Sequence, residues 1–130
     1  MQILGIDYGL KKIGIALADT TTLLAVPYKV IRVKSVEDAV VKISQVVDEL
    51  AIEKIIIGLS MYQMRNQTKI FANLLESKVV AKIEFVDENF STKMAQKASL
   101  FANIRQSKRK MMEDAYAACI ILQDYLDYKL

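Results

Sequence analysis

The sequence predicts an α/β domain built on a mixed five-stranded sheet flanked by helices, and three observations support this class. Strand-like apolar segments at residues 2–7, 13–18 and 25–33 open the chain, with turn-forming residues between the first two. Helical and strand-like segments then alternate. The apolar run at 54–59 shows no alternation, which is typical of a parallel strand covered on both faces. The expected order is βββαβαβαα: an antiparallel three-strand meander, then two parallel strands.

Proline and helix-capping residues support the predicted boundaries of several elements. Pro27 near the start of the third strand indicates an edge position, because proline cannot donate a ladder hydrogen bond. Ser35 is a plausible N-cap, with Asp38 as its capping-box partner. Apolar residues then follow at helical spacing: Val36, Ala39, Val40, Ile43, Val46, Val47 and Leu50. This spacing predicts an amphipathic helix that packs on one face of the sheet.

The second half of the chain predicts three more helices and one strand. Asn66 could cap a helix that buries four residues: Ile70, Phe71, Leu74 and Leu75. Residues 79–86 read as the fifth strand, and Ser91 or Thr92 caps a third helix to about residue 103. A basic connection at 104–110 precedes a last helix from about 111 to 128. The core side of that helix is expected to carry Ala115, Ala118, Cys119, Leu122 and Leu126.

Composition restricts the chemistry. The 130 residues suit a single domain, 1–130, with 53% hydrophobic and 25% charged residues. No histidine is present, which excludes histidine acid–base catalysis and histidine-ligated zinc. Cys119 is the only cysteine, so no internal disulfide forms, and we expect it to be buried. No membrane span or signal peptide is recognisable, so we expect a cytoplasmic protein.

Carboxylates occur where core strands end. Asp7 follows a buried strand, and Asp87 and Glu88 end another strand that should finish at the same edge of the sheet. Asp114 is predicted in the first turn of the last helix. Each acid also has a plain structural interpretation: a turn-former at Asp7, a loop start or cap at 87–88, and a residue complementing the helix dipole at Asp114.

A carboxylate cluster has a direct chemical use. Gathered carboxylates repel one another unless a cation neutralises them, and Mg²⁺ prefers such hard oxygen ligands. Two such ions can activate a water and stabilise a leaving oxygen in phosphodiester hydrolysis. Sugar kinases, actin and the chaperone ATPases also open with an Asp-x-Gly hairpin, but they need a second domain and over twice this length. Dinucleotide-binding and Walker A glycine patterns are missing from the sequence.

Positive charge is concentrated near the third helix. No acidic residue occurs from Asn89 to Met112. The same stretch contains Lys93, Lys97, Arg105, Lys108, Arg109 and Lys110. Such a one-sign segment suits a polyanionic partner, although a solvated helix face with a basic loop would give the same pattern.

Four segments in order resemble the YqgF family, which is described as Holliday junction resolvases and as pre-16S rRNA nucleases. They are Leu4-Gly5-Ile6-Asp7-Tyr8-Gly9 with Lys12 to Asp19, Ile56 to Ser60, Asp87 to Thr92, and Lys110 to Leu126. Two positions depart from the family pattern: Ser60 replaces proline, and Asn89 replaces an arginine beside the acids. Arg65 or Arg105 could supply the missing charge.

The resemblance implies a ribonuclease-H-like fold and hydrolysis that depends on Mg²⁺ or Mn²⁺, with a two-metal-ion type mechanism. The catalytic, metal-holding positions fall on Asp7, Glu88 and Asp114, with Asp87 as an adjacent ligand. With this context, the residues expected to contact nucleic acid are Lys12, Arg65, Lys93, Arg105, Lys108, Arg109 and Lys110. Tyr8 and Tyr62 could stack on a base or simply pack.

The family implies a function in ribosome biogenesis, namely nuclease processing of the 5′ end of pre-16S rRNA, with a ribosomal precursor particle as a possible partner. No small-molecule cofactor and no membrane partner are expected. Resolution of Holliday junctions or other branched DNA is the alternative, since fold and acids do not distinguish RNA from DNA. A nucleic-acid-binding module that does not cleave is a third interpretation.

Overall fold

Five strands form one mixed sheet in the order β3-β2-β1-β4-β5. The strands are β1 Gln2–Asp7, β2 Lys12–Asp19, β3 Val26–Arg32, β4 Lys54–Leu59 and β5 Lys82–Asp87. The helices are α1 Val36–Glu49, α2 Arg65–Glu76 and α3 Gln106–Lys129. The computed structural model describes residues 1–60, 63–87 and 106–129, with side chains in the last range from residue 111 onward.

The pairing confirms the predicted sheet. β1 pairs antiparallel with β2, β2 pairs antiparallel with β3, and β4 joins β1 and β5 in parallel. Pro27 lies on the edge strand β3, as the sequence predicts. The carboxyl ends of β1, β4 and β5 therefore meet at one edge of the sheet, together with the start of β2.

The two faces of the sheet hold separate cores. One face packs against α1 and α2 through bulky side chains that include Ile13, Ile15, Ile55, Ile57 and Phe71. The other face packs against α3, and β2 contributes the small residues Ala16 and Ala18 to it. β4 contributes to both cores, as its uninterrupted apolar sequence predicts.

The start of α1 confirms Ser35 as its N-cap and refines the partner of Asp38. The Ser35 hydroxyl oxygen accepts a hydrogen bond from the Asp38 backbone N–H at 3.0 Å. The Asp38 carboxylate accepts one from the Lys34 backbone N–H at 2.9 Å, one residue before the position a capping box requires. This hydrogen bond is the main reason that the pKa of Asp38 lies below its ordinary value.

The prediction for α2 was wrong in two respects. The helix begins at Arg65 with Met64 in the cap position, so Asn66 is inside the helix and is not its cap. Ile70 and Leu74 are 53% and 41% exposed. The buried residues are Thr68, Phe71, Ala72 and Leu75. Their spacing of three and four residues defines one narrow stripe, and Ile70 and Leu74 lie beside it.

The last helix begins earlier than predicted. α3 starts at Gln106, so Lys108, Arg109 and Lys110 belong to the helix and not to a basic loop. Residues 106–112 contain no glycine or proline and are mostly straight-chain helix formers, which explains the earlier start. The predicted third helix lies outside the described residues. Within the described ranges, no helix combines the length and apolar character that crossing a membrane requires.

Candidate active site at the sheet edge

Asp7 is the last residue of β1 and lies half-buried at the carboxyl edge of the sheet. Its cross-strand partner on β2 is Gly14. Side chains of directly paired residues project from the same face of an antiparallel pair. Ile3 and Gly5, which share that face with Asp7, contact α3. The Asp7 carboxylate therefore lies on the face of the sheet that α3 covers.

Gly14 allows α3 to lie directly on this part of the sheet. A Cβ atom at Gly14 would collide with the backbone carbonyl of Asp114. A Cβ at Gly5 would lie 2.8 Å from the Cβ of Leu122, two helical turns further along. Glycine at both positions therefore brings the helix backbone close to β1 and β2, and this close packing places Asp114 beside the strand pair that carries Asp7.

The structure corrects the position of Asp114 within its helix. α3 begins at Gln106, so Asp114 lies more than two turns inside the helix, where the charge at the helix N-terminus has little influence. The interpretation of Asp114 as a dipole-complementing acid of the first turn was therefore wrong. Its side chain is only 29% exposed and faces the sheet edge, where it meets a residue of β2.

That residue is Lys12, the first residue of β2. Its Nζ atom lies 3.3 Å from Oδ2 of Asp114. Lys12 and Gly14 are two residues apart on one strand, so both project toward the α3 side of the sheet. Lys12, which the sequence predicted to contact nucleic acid, thus lies directly beside one of the predicted catalytic carboxylates.

Asp87 is placed differently. It is the register partner of Leu59 at the end of β5, on the face covered by α1 and α2, and its side chain is 78% exposed. An oxygen of Asp87 lies 3.7 Å from Nη1 of Arg65, and the same nitrogen donates a hydrogen bond to the Ser60 carbonyl at 3.5 Å. The structure brings Asp87 together with Arg65, across the sheet from Asp7 and Asp114.

The remaining predicted site residues fall outside what the structure describes. These are Glu88, Lys93, Arg105 and the side chains of Lys108, Arg109 and Lys110, together with Tyr62. Within residues 1–60, 63–87 and 111–129, no three acidic or cysteine side chains gather closely enough to hold a metal ion. Glu88, the third member of the predicted set, follows β5 directly.

Tyr8 belongs to the core. Its ring stacks on Phe71 with centroids 4.4 Å apart and an angle of 19° between the planes. The residue is 8% exposed, and burial raises the pKa of its hydroxyl, with a smaller contribution from the nearby Glu37 carboxylate. Of the two interpretations offered by the sequence, packing and not base stacking describes Tyr8.

The donors at this edge suit a divalent cation. Asp7 and Asp114 offer hard carboxylate oxygens on one face of the sheet, and a cation, the Lys12 ammonium, already lies against one of them. Their neighbourhood contains no histidine, since the chain has none. Oxygen-only donors favour Mg²⁺ or Mn²⁺ over softer metals.

The sheet order and register define a ribonuclease-H-like α/β domain, and a solved structure has the same fold. The chain aligns with the fowlpox virus resolvase, solved in complex with Holliday junction DNA, at a TM-score of 0.67. The alignment covers 100% of this chain and 99% of the resolvase at 12% sequence identity. At this level of identity the comparison shows a common fold and nothing more.

Sequence comparison identifies the family. Residues 1–128 match the model of the RuvX family, described as Holliday junction resolvase, so the chain belongs to that family. A protein of Dictyoglomus thermophilum named "Putative pre-16S rRNA nuclease" is 34% identical over 98% of this chain and 96% of its own length. A protein of the same name from Natranaerobius thermophilus is 36% identical over 98% of this chain and 94% of its own length. These matches confirm the resemblance drawn from the sequence.

Proposed function

We propose that this protein is a divalent-metal-dependent nuclease that hydrolyses phosphodiester bonds in structured RNA, and that its substrate is the 5′ end of pre-16S rRNA. The names of its full-length relatives support the RNA substrate. Membership of a nuclease family supports the reaction class.

The observation that carries the proposal is the close packing of the Asp114 backbone on Gly14, which is the cross-strand partner of Asp7. Two carboxylates from distant parts of the chain reach one face of the sheet at its carboxyl edge, where open α/β sheets bind ligands. Lys12 neutralises one of these groups in the structure, and a divalent cation bound between them would neutralise both.

In this proposal Asp7, Glu88 and Asp114 hold Mg²⁺ or Mn²⁺ in a two-metal-ion type of site. The bound cations would lower the pKa of an attacking water and neutralise charge that develops on the phosphate. Asp7 is placed by the β1–β2 ladder, and Asp114 by a helix that packs directly on Gly14. Two packed elements therefore present the oxygen donors on one face of the sheet.

Positive residues border the site on both sides. Lys12 lies on the α3 side and Arg65 on the α2 side, where Asp87 and the Ser60 carbonyl orient its guanidinium. We assign both residues to phosphate contact, and Arg65 would supply a positive charge of the kind that is lost where Asn89 replaces an arginine in the sequence. The basic residues between 93 and 110 that the sequence predicts to contact nucleic acid would extend the phosphate contacts along the nucleic-acid strand. Asp87 then orients Arg65 and is not a metal ligand.

The proposal is tested by cleavage assays on the purified full chain. A 5′-labelled RNA spanning the pre-16S 5′ end is incubated with Mg²⁺ or Mn²⁺, beside a four-way DNA junction of the same label. We expect metal-dependent cleavage of the RNA, and loss of at least about a hundred-fold in Asp7→Asn and Asp114→Asn. Asp48→Asn, the same change at an exposed acid of α1, is the matched control and should cleave normally.

Branched-DNA resolution is the second candidate, because the matching family is described as Holliday junction resolvase. Cleavage of the junction in preference to the RNA would establish it and would overturn the rRNA assignment. If the wild type binds either nucleic acid and cleaves neither, with Asp7→Asn binding equally well, the protein is a binding module and the nuclease proposal fails.

A further inference from the structure

Lys12 lies between a negative and a positive neighbour. On one side, its Nζ atom is 3.3 Å from Oδ2 of Asp114. On the other side, its register partner on β3 is Arg32, so two cationic residues stand directly opposite each other at the end of the β2–β3 ladder. Like charges in this arrangement repel. The Lys12 side chain is therefore drawn toward Asp114 and away from Arg32.

The ion pair is accessible enough to exchange its partners. The Lys12 side chain is 49% exposed and that of Asp114 is 29% exposed, so water screens their attraction and the pair is weak enough to break readily. Lysine carries its charge on a flexible stem, which can move the ammonium by several ångströms while the backbone stays in the sheet. A divalent cation at Asp114 would compete directly with this ammonium.

We propose that Lys12 is an exchangeable counter-ion: it neutralises Asp114 in the metal-free protein and, when a divalent cation takes its place there, turns to the substrate phosphate. This inference rests on the proposed function, because it assigns Asp114 to the metal. It gives Lys12 two partners in sequence and links metal binding to phosphate binding. Arg32, on the same side of the sheet edge, contributes to the same phosphate subsite without competing for the metal.

The exchange makes a prediction that an ordinary phosphate-binding lysine does not. Removing the Lys12 charge should strengthen metal binding, because the competitor is gone, and weaken RNA binding, because a phosphate contact is gone. A lysine that only contacts phosphate would affect RNA alone. A lysine that only holds Asp114 in position would weaken metal binding when removed.

The test is a titration of the full chain with Mn²⁺ in the absence of nucleic acid, in which electron paramagnetic resonance measures the concentration of free Mn²⁺. Lys12→Gln should bind Mn²⁺ about two- to five-fold more tightly than Lys11→Gln, which removes the same charge one residue away and controls for long-range electrostatics. Lys12→Arg keeps the charge and should resemble the wild type. Arg32→Gln should show the affinity of Lys11→Gln.

RNA binding supplies the second half of the test. With a pre-16S fragment and Ca²⁺ as the metal probe, Lys12→Gln and Arg32→Gln should each bind more weakly than the wild type, and the salt dependence of each should fall by about one phosphate contact. Equal Mn²⁺ affinity in Lys12→Gln and Lys11→Gln, or weaker affinity in Lys12→Gln, would overturn the exchange. If the exchange fails in this way but the wild type binds Mn²⁺ and Asp7→Asn does not, the proposed function still stands. If the wild type binds no Mn²⁺, both the exchange and the proposed function fail.

Discussion

The two faces of the sheet are built from different residues and serve different ends. The face under α1 and α2 is filled by large branched and aromatic side chains, among them the fully buried Ile43 and Phe71. On the face under α3, Gly5 and Gly14 place backbone against backbone. The first arrangement maximises buried apolar area, and the second minimises the distance between helix and sheet.

This difference explains how Asp7 and Asp114, the candidate catalytic carboxylates, come to share the α3 face of the sheet. A bulky core holds a helix at the usual separation, and a short aspartate on such a helix would stay far from the strands. Where Gly14 lies under Asp114, the helix approaches the sheet closely. Asp114 therefore lies over the β1–β2 pair, on the face from which Asp7 projects. Asp87, on the α1/α2 side of the same edge, is paired with Arg65. We therefore call the face under α1 and α2 the thicker face, which is expected to supply most of the stability, and the face under α3 the thinner face, which carries the candidate site.

The largest effect is expected from a cavity in the thicker face. Ile43→Ala removes three carbon atoms from a fully buried position in α1 and should lower the free energy of unfolding by about 2–5 kcal/mol, measured by urea denaturation. Ile43→Val is the matched control, at about 0.5–1.5 kcal/mol. Both variants should bind Mn²⁺ normally while folded. A loss of metal affinity in Ile43→Val would show that the two faces are not separable.

A smaller loss of stability but a larger loss of function is expected on the thinner face. Gly14→Ala forces a Cβ atom against the Asp114 carbonyl, so α3 must move outward, at a cost of about 1–3 kcal/mol. RNA cleavage should fall steeply, because Asp114 moves with the helix. Ala16→Gly, two residues along the same face, creates no clash and should retain cleavage. Normal cleavage by Gly14→Ala would contradict the role assigned to close packing.

The smallest expected effect concerns Cys119, which reports on the docking of α3. Its thiol is 5% exposed, contacts the Ala25 carbonyl at 3.3 Å, and has its pKa raised by burial to about 11. A raised pKa keeps the thiol protonated and unreactive at neutral pH. Thiol reagents should therefore label the native protein only slowly, and Gly14→Ala faster. Rapid labelling of the wild type would mean that α3 is not held as described.

Much of the fold could be predicted because it depends on patterns that the sequence displays directly. The meander, the edge position of Pro27 and the central position of β4 follow from hydrophobic runs and from proline chemistry. The burial of Cys119 and its neighbours in α3 was predicted correctly for the same reason. The exposure of Ile70 and Leu74 was not, because the choice among adjacent helical stripes depends on where α1 and the sheet lie.

The sequence offers the residue types of the candidate site but not their spatial arrangement. The sequence showed acids at strand ends, and it showed glycines near Asp7 that permit close approach. It could not show that Gly14 faces Asp114, that Lys12 pairs with that carboxylate, or that Arg32 stands opposite Lys12, because these contacts join distant segments. Nor could it separate Asp87 from the other acids, since one residue of strand register decides which face a side chain occupies.

The central claim is that Asp7 and Asp114 form a metal site on the α3 face while Asp87 does not belong to it. Mn²⁺ affinity, measured by calorimetry on Asp7→Asn, Asp114→Asn and Asp87→Asn, tests it most directly. The account predicts that the first two variants lose at least about ten-fold in affinity, whereas Asp87→Asn stays within about two-fold of the wild type. Loss of affinity in Asp87→Asn, with Asp114→Asn unchanged, would contradict the account.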